Sequence, residues 1–232
     1  MSRWRAIIFD LDDTLYPERD YVLSGFRSVA EWGQQHLGIP VDRGFSELHK
    51  LYVAGIRGDT FNRWLAHHGI PSEEIVQELV RVYRDHWPTI RCFPEVPTLL
   101  GSLRRHFRLG LVSDGYLEVQ QRKLSSLGLA GHFDAIVFSD ELGRESWKPS
   151  MKPFIKVLTK LNVPPSVAVY VADNPVKDFL GARQAGMSTI WVHRPDGEYT
   201  HLRPPSAAHA PDYKVTSLTE LEQLLFLDAG MS

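Results

Sequence analysis

Short apolar runs recur along the chain, and they constrain its fold more than any other feature of the sequence. Five of these runs occupy residues 6–9, 109–112, 135–138, 167–171 and 189–192. Each run is continuous instead of alternating with polar residues, which is typical of strands covered on both faces. Stretches with apolar residues at helical spacing lie between most of the runs. This alternation over residues 92–194 predicts an α/β fold, in which a Rossmann-like parallel sheet carries helices on both faces.

The helices of this region are predicted from apolar residues three or four positions apart. They cover residues 94–106, 118–127, 151–161 and 176–185. Gly128 and Gly186 directly follow two of these stretches, at the position where glycine commonly ends a helix. A loop over residues 204–211, a last short strand at 213–215 and a helix at 218–227 complete the predicted core.

Residues 17–90 show a different pattern, with helical spacing and no convincing strand. The predicted helices cover residues 21–37, 60–65 and 72–87. Because the α/β alternation resumes after this segment, we expect a helical unit inserted after the first strand. The expected division is a core of residues 1–16 and 91–232 and an inserted unit of residues 17–90. Candidates for substrate contact in this unit, each with packing or solvation as the commoner alternative, are Arg57, Arg63, Trp64, His67 and His68.

Composition excludes several classes of partner and site. Lys and Arg total 26 against 28 Asp and Glu, so the chain lacks the basic excess of a nucleic-acid-binding protein. Cys92 is the only cysteine, which excludes internal disulfides and cysteine-rich zinc modules. No apolar run approaches the ~20 residues of a membrane span, and the apolar patch at 6–9 is too short for a secretory signal. We therefore expect a cytoplasmic protein without nucleic-acid or membrane partners, as a monomer or homodimer.

Polar residues follow each of the first four predicted strands. Ligands of parallel sheets bind at the carboxyl ends of the strands, so these residues are expected to meet at one edge. They are Asp10, Asp12 and Asp13, then Ser113, Asp114 and Gly115, then Lys148, and finally Asp173 and Asp178. Carboxylates gathered in this way repel one another, and a hard cation such as Mg²⁺ relieves the repulsion. Ser113 and Lys148 can supply donors to a phosphate beside that cation, and a carboxylate can act as the nucleophile.

Four of these segments, in this order, resemble the signatures of the haloacid dehalogenase-like superfamily. Residues 10–15, DLDDTL, resemble its first signature, D-x-D-x-T, and Ser113 resembles the hydroxyl residue of its second. Lys148, with Phe154 six residues later, is similar to the third signature, and Asp173 with Asp178 is similar to the fourth. The resemblance covers nearly the whole chain, and the inserted helical unit resembles the cap domain of the family.

The resemblance implies a role for each acidic residue. Asp10 would be the nucleophile that takes the phosphoryl group, and Asp12 would protonate the leaving oxygen and later deprotonate the attacking water. Mg²⁺ would be held by the Asp10 side chain, the Asp12 backbone carbonyl and Asp173, with Asp178 in support. The presence of Asp12 favours phosphate-ester hydrolysis, because dehalogenases of the superfamily, whose halide leaves without a proton, lack this acid.

The remaining implied contacts concern the substrate. Ser113 and Lys148 would hold the oxygens of the transferred phosphoryl group, with Asp114 and Gly115 beside them. The family usually has Asn where this chain has Asp114, which adds a negative charge near the phosphate unless the side chain points away. The expected substrate is a small phosphorylated metabolite, such as a sugar phosphate, a nucleoside monophosphate or phosphoglycolate.

Other interpretations remain open at the level of sequence. A phosphomutase of the same fold, a phospholigand-binding regulator without turnover and a 2-haloacid dehalogenase are the alternative functions. Structural alternatives exist for single residues: Asp12 or Asp13 suits a turn, residues 113–115 suit another, and Asp178 suits the positive end of a helix. Lys152 is a second candidate for the role given to Lys148.

Overall fold

Six parallel strands form one sheet in the order β3-β2-β1-β4-β5-β6. The computed structural model describes residues 3–227. The strands are β1 (Ala6–Phe9), β2 (Arg108–Ser113), β3 (Ala135–Phe138), β4 (Ala168–Ala172), β5 (Ser188–Val192) and β6 (Tyr213–Val215). The predicted α/β class and the parallel sheet are confirmed.

The strand order reverses between β1 and β4, and this reversal positions the polar residues predicted to meet. Phe9, the last residue of β1, pairs with Leu111 of β2 on one side and with Val171 of β4 on the other. Every residue of β1 and β4 is buried, so both faces of the central strands are covered. Side chains that follow β1, β2 and β4 therefore emerge at the same edge, at the switch point where open α/β sheets bind ligands.

Residues 19–90 form a compact helical unit of their own. Its helices are α1 (Glu18–Leu37), α2 (Val41–Val53), α3 (Thr60–His67) and α4 (Glu73–Asp85). Helix α2 was not predicted, although Phe45, Leu48 and Tyr52 have helical spacing; its buried stripe begins at Gly44. Leu48 and Tyr52 continue that stripe at four-residue steps. A Cβ atom at Gly44 would lie 3.1 Å from the Trp64 ring, so the small residue makes room for the tryptophan.

The other compact unit contains the sheet and the remaining helices. These are α5 (Val96–Leu103), α6 (Leu117–Leu127), α7 (Lys152–Leu161), α8 (Phe179–Gln184) and α9 (Leu218–Leu227). Gly128 ends α6 with a left-handed φ of 68°, as the sequence predicts. Helix α8 begins three residues later than predicted, because the Asp178 carboxylate accepts the Asn174 N–H at 2.9 Å and holds the preceding residues in a turn. None of the helices in residues 3–227 is long and apolar enough to cross a membrane.

The candidate substrate contacts of the helical unit have partners within that unit. Trp64 is buried, and its indole N–H donates to Glu47 at 3.0 Å. His68 binds the same carboxylate at 2.7 Å. Arg57 donates to the Tyr52 carbonyl at 2.7 Å, and Arg63 pairs with Asp59 at 2.8 Å. His67 is more exposed and lies 3.9 Å from Glu47.

Glu47 joins α2 to α3, and its removal is expected to destabilise the helical unit. Burial alone would raise the pKa of Glu47, but hydrogen bonds from Arg43, His68 and Trp64 outweigh it and lower the pKa to about 2. Glu47→Gln is expected to reduce the free energy of unfolding at neutral pH by about 1–3 kcal/mol, because it removes acceptors from charged and buried donors. Urea unfolding followed by tryptophan fluorescence measures this loss.

The pH dependence of that loss has a definite sign. The pKa of Glu47 lies below its ordinary value of 4.5, so its stabilisation is complete above that pH and disappears as the pH falls towards 2. The difference in free energy of unfolding between wild type and Glu47→Gln should therefore become smaller as the pH falls from 4.5 to about 2. Glu31→Gln, at an exposed position of α1, is the matched control and should change stability little. A Glu47 variant as stable as this control would contradict the prediction.

Candidate active site

Lys148 lies at the centre of a buried ionic cluster at the carboxyl edge of the sheet. Its ammonium donates to Asp10 at 2.6 Å, to Asp178 at 2.7 Å and to the Tyr170 hydroxyl at 3.0 Å. An ammonium has three protons, and each has an acceptor here. Lys152, the second candidate, instead has a side chain that is 57% exposed and lies 3.7 Å from Glu145. The structure therefore places Lys148, and not Lys152, beside Asp10.

Three carboxylates in this cluster fit a hard divalent cation. Asp10, Asp173 and Asp178 each offer an oxygen, and these oxygens lie within 4.8 Å of one another. The Oδ2 atom of Asp10 is buried and has no hydrogen-bond partner within residues 3–227. A buried carboxylate oxygen without a partner is costly, and an oxygen-only donor set is the kind that Mg²⁺ prefers.

The electrostatics of the cluster agree with this fit. Burial raises the pKa of Asp10 to about 7; Lys148 opposes the rise, and Asp178 adds to it. Burial and the neighbouring carboxylates Asp178 and Asp10 raise the pKa of Asp173 well above its usual range. The Thr14 hydroxyl donates to Asp173 at 3.3 Å, but it carries no charge. Lys148 and Lys177 offset only part of the negative charge of the three carboxylates, and a bound cation would stabilise their ionised forms.

Asp12 is bound by side chains that the sequence pattern does not indicate. Its carboxylate accepts from the Lys123 ammonium at 2.7 Å, from Gln120 at 3.3 Å and from the Tyr16 hydroxyl. Burial alone would raise the pKa of Asp12, but Lys123 and Tyr16 outweigh it and lower the pKa. Asp12 therefore favours its ionised form more strongly than Asp10 does.

Ser113 connects to the same group of side chains. It is fully buried at the end of β2, and its hydroxyl donates to the Gln120 side-chain carbonyl at 3.0 Å. Gly115, with a φ of 128°, is turned so that a Cβ atom there would lie 2.5 Å from the Gln120 amide nitrogen. A glycine at this position therefore leaves room for Gln120 to reach Ser113 and Asp12.

Asp114 is engaged by protein donors. Its Oδ2 accepts the Lys148 backbone N–H at 3.0 Å, and its Oδ1 accepts the Ser139 hydroxyl. The carboxylate therefore holds the backbone of the loop that carries Lys148. An acid in place of Asn adds a negative charge near the expected phosphate. Here that charge is compensated by the N–H and O–H groups that donate to the carboxylate.

Asp13 has a different environment from that of Asp10 and Asp12. Its Oδ1 accepts the backbone N–H of Glu18 at 2.9 Å, at the first residue of α1. Its backbone has a φ of 50°, in the left-handed region that Asp tolerates better than most residues. Burial raises the pKa of Asp13 to about 7. The structure thus uses Asp13 to begin a helix, which is the turn-forming alternative considered for this segment.

The backbone around Lys148 makes close contact with α8, and a substitution there is expected to destabilise the protein. A Cβ atom at Gly181 would lie 2.5 Å from the Pro149 carbonyl oxygen and 2.6 Å from that of Ser150. Gly181→Ala should therefore displace backbone and lower the free energy of unfolding by about 1–3 kcal/mol.

Gly101→Ala is the matched control for this experiment. Gly101 lies within α5, is exposed and would place its Cβ atom more than 4 Å from any neighbour. Alanine should therefore stabilise the helix by about 0.5–1 kcal/mol. Urea denaturation of the two variants distinguishes the steric clash at Gly181 from the effect that replacing any helical glycine by alanine has on stability. Equal midpoints would mean that the loop tolerates a methyl group at Gly181.

Comparisons with known proteins identify the family. The family model for haloacid dehalogenase-like hydrolases matches residues 7–192. The chain is 32% identical to the glyceraldehyde 3-phosphate phosphatase of Methanopyrus kandleri over 226 residues, 94% of this chain and 95% of that protein. It is 35% identical to the pyrimidine 5′-nucleotidase of Escherichia coli over 235 residues, 96% of this chain and 98% of that protein.

A solved structure shares the fold as well. The crystal structure of the HAD phosphatase from Thermococcus onnurineus superposes with a TM-score of 0.62 at 26% identity, over 95% of this chain and 97% of that one. The chain belongs to the haloacid dehalogenase-like hydrolases.

Proposed function

We propose that the protein is a Mg²⁺-dependent phosphatase that hydrolyses a small phosphate monoester through a phosphorylated Asp10. One observation supports this proposal above the others. The carboxylate of Asp10 is buried, one of its oxygens accepts from Lys148 at 2.6 Å, and the other has no partner within residues 3–227. A buried carboxylate with one oxygen held and one available is suited to act as a nucleophile beside a cation.

The metal ligands follow from the cluster of acids. Asp10, Asp173 and the backbone carbonyl of Asp12 would hold Mg²⁺, and Asp178 would support it while it binds Lys148 at 2.7 Å. The cation, when bound, supplies positive charge that offsets the phosphate and the carboxylates. Lys148 would act on the phosphoryl oxygens from the other side as a positive charge, with Ser113 beside it.

The reaction then proceeds in two displacements at phosphorus. A carboxylate oxygen of Asp10 forms a bond to phosphorus while the ester P–O bond breaks. Asp12, which takes up a proton when the negatively charged phosphate binds beside it, gives that proton to the leaving alkoxide. Water next attacks the phosphorus and loses its proton to Asp12, while the bond to Asp10 breaks. Inorganic phosphate is released, and both carboxylates return to their starting states.

Small monoesters are the substrates that the relatives' names suggest. Relatives named as phosphatases of glyceraldehyde 3-phosphate, phosphoserine and phosphoglycolate, and as a pyrimidine 5′-nucleotidase, define a panel to test. A small phosphorylated metabolite of the cytoplasm, hydrolysed without a nucleic-acid or membrane partner, fits this class. The presence of Asp12 favours phosphate esters over haloacids, because a halide leaves without a proton.

Removal of the metal tests the proposal directly. Phosphate release from the panel and from p-nitrophenyl phosphate should fall to background in EDTA and return when excess Mg²⁺ is added. Product analysis should show free phosphate; a phosphate moved to another position of the substrate would indicate a phosphomutase instead. Phosphate release that persists after dialysis against a chelator would show that the reaction does not require Mg²⁺.

A further inference from the structure

Asp12 is held by two buried polar side chains of α6. Lys123 and Gln120 are each 3% exposed, and they lie three residues apart on one face of the helix. Lys123 binds Oδ1 of Asp12 at 2.7 Å, and Gln120 donates to Oδ2 at 3.3 Å. A buried ammonium or amide is costly unless it is paired, and Asp12 supplies an acceptor to each of these side chains.

Gln120 links Asp12 to Ser113 through its two amide atoms. Its amide carbonyl accepts from Ser113, and its amide nitrogen donates to Asp12, so the amide joins the end of β2 to the segment that follows β1. Because Lys123 and Gln120 act on different oxygens, they fix the plane of the Asp12 carboxylate. Because the Gln120 amide also accepts from the Ser113 hydroxyl, it fixes the position of the Asp12 carboxylate relative to that hydroxyl.

We propose that Lys123 and Gln120 are positioning residues that aim the Asp12 carboxylate at the leaving oxygen and at the attacking water. This inference rests on the proposed function, since it requires Asp12 to transfer protons. Gln120 also links Asp12 to Ser113 at the end of β2. Neither residue touches the reacting atoms in this account; both act through Asp12.

The proposal makes a distinction between substrates. An alkyl phosphate releases an alkoxide that needs a proton, whereas p-nitrophenolate leaves without one. A misaligned Asp12 should therefore slow phosphorylation of Asp10 by an alkyl ester and leave phosphorylation by p-nitrophenyl phosphate almost unchanged. The second displacement needs a base for every substrate, so the phosphorylated enzyme should accumulate with p-nitrophenyl phosphate, for which the first displacement stays fast.

Lys123→Met is the first test, because methionine keeps an unbranched side chain at a buried position. For an alkyl phosphate that the wild type hydrolyses, kcat/KM should fall about 100-fold, the scale of a lost proton transfer. For p-nitrophenyl phosphate, kcat/KM should change less than about threefold, within the usual spread for a substitution that leaves the step intact. A rapid burst of p-nitrophenol, close to one per enzyme, should precede a slow steady state.

Gln120→Leu is the second variant and preserves the ion pair between Lys123 and Asp12. Like Lys123→Met, it should lower kcat/KM for the alkyl ester, by about tenfold, and leave kcat/KM for p-nitrophenyl phosphate almost unchanged. Gln121→Leu changes the exposed neighbour on α6 and should leave all these rates unchanged. In an Asp12→Asn background, Lys123→Met should cause no further loss, because positioning residues act only through the residue they position.

Equal losses for both substrates without a burst would overturn the proposal, as would full alkyl phosphatase activity in Lys123→Met. An additive loss in the Asp12→Asn background would likewise show that Lys123 acts independently of Asp12. Failure of the proposed function is a separate result, because it would appear in the wild-type protein as an absence of Mg²⁺-dependent phosphate release.

Discussion

Asp10→Asn is expected to lower the rate of phosphate release by at least about 10⁴-fold, the scale at which enzymes lose turnover without their nucleophile. An amide oxygen is a far weaker nucleophile than a carboxylate oxygen, and an amide cannot form the acyl phosphate. The fold should remain, because the Asn carbonyl can still accept from Lys148 and the position is otherwise enclosed. Steady-state assays with the best substrate of the panel, beside circular dichroism, measure both effects.

Asp13→Asn is the matched control for the nucleophile. Asp13 is also a buried acid with one carboxylate oxygen that lacks a partner within residues 3–227, but its other oxygen begins α1. Asn caps helices as well as Asp does, so this variant should keep turnover within about threefold of the wild type. Comparable losses at both positions, or an Asp10→Asn protein that still turns over, would refute the assignment of Asp10.

Lys148→Met is the substitution with the second-largest expected effect. It removes the cation from a cluster in which the Lys148 ammonium and the Asp178 carboxylate are fully buried and Asp10 is nearly so. Breaking a buried ionic cluster by removing one partner costs about 3–5 kcal/mol, so stability without Mg²⁺ should fall by that amount. The rate should fall about 1000-fold, because the phosphoryl oxygens lose a charged donor in a water-poor site.

Added Mg²⁺ should partly restore the stability of Lys148→Met, since the cation offsets the same carboxylates. Urea unfolding with and without Mg²⁺, together with kcat, measures these changes. Lys152→Met, at the exposed lysine four residues further along, should match the wild type in both assays. If Lys152→Met lost more activity than Lys148→Met, the assignment of the lysine would be wrong.

The strands were the part of the fold most open to prediction. Continuous apolar runs predicted them well, because both faces of the central strands are buried and no polar side chain interrupts them. Each apolar run also shows where its strand ends and which polar residue comes next. Because parallel strands end at the same edge of a sheet, the approach of Asp10 to Asp173 was predictable. The parallel register of β1 with β4 places both carboxylates at one edge.

Helix α2 was missed although Phe45, Leu48 and Tyr52 lie on one of its faces at helical spacing. Its buried stripe contains Gly44, whose small size accommodates Trp64, a residue 20 positions further along the chain. Hydrophobic spacing cannot reveal a glycine that is required by a distant ring. Helix α8 shows a related limit, since the hydrogen bond from Asn174 to Asp178 replaces the helical turn that the spacing predicted.

The support of Asp12 by α6 was missed for a physical reason. Gln120 and Lys123 interrupt the apolar stripe of their helix, and this interruption is visible in the sequence as two polar residues at helical spacing beside Leu124. Their common partner lies more than 100 positions earlier, so only the folded sheet brings them together. The orientation of Asp114 likewise depends on Ser139 and the Lys148 backbone, which the sequence separates from it.

A trapped phosphorylated enzyme tests the central claim most directly. In Asp12→Asn, p-nitrophenyl phosphate should still phosphorylate Asp10, and the missing base should slow the attack of water. Acid quenching, borohydride reduction of the acyl phosphate and peptide mass spectrometry then identify the modified residue. The account predicts modification of Asp10 and its absence in the Asp10→Asn, Asp12→Asn double variant. Modification of a different residue, or release of phosphate by the wild type without any trapped aspartyl phosphate in Asp12→Asn, would contradict it.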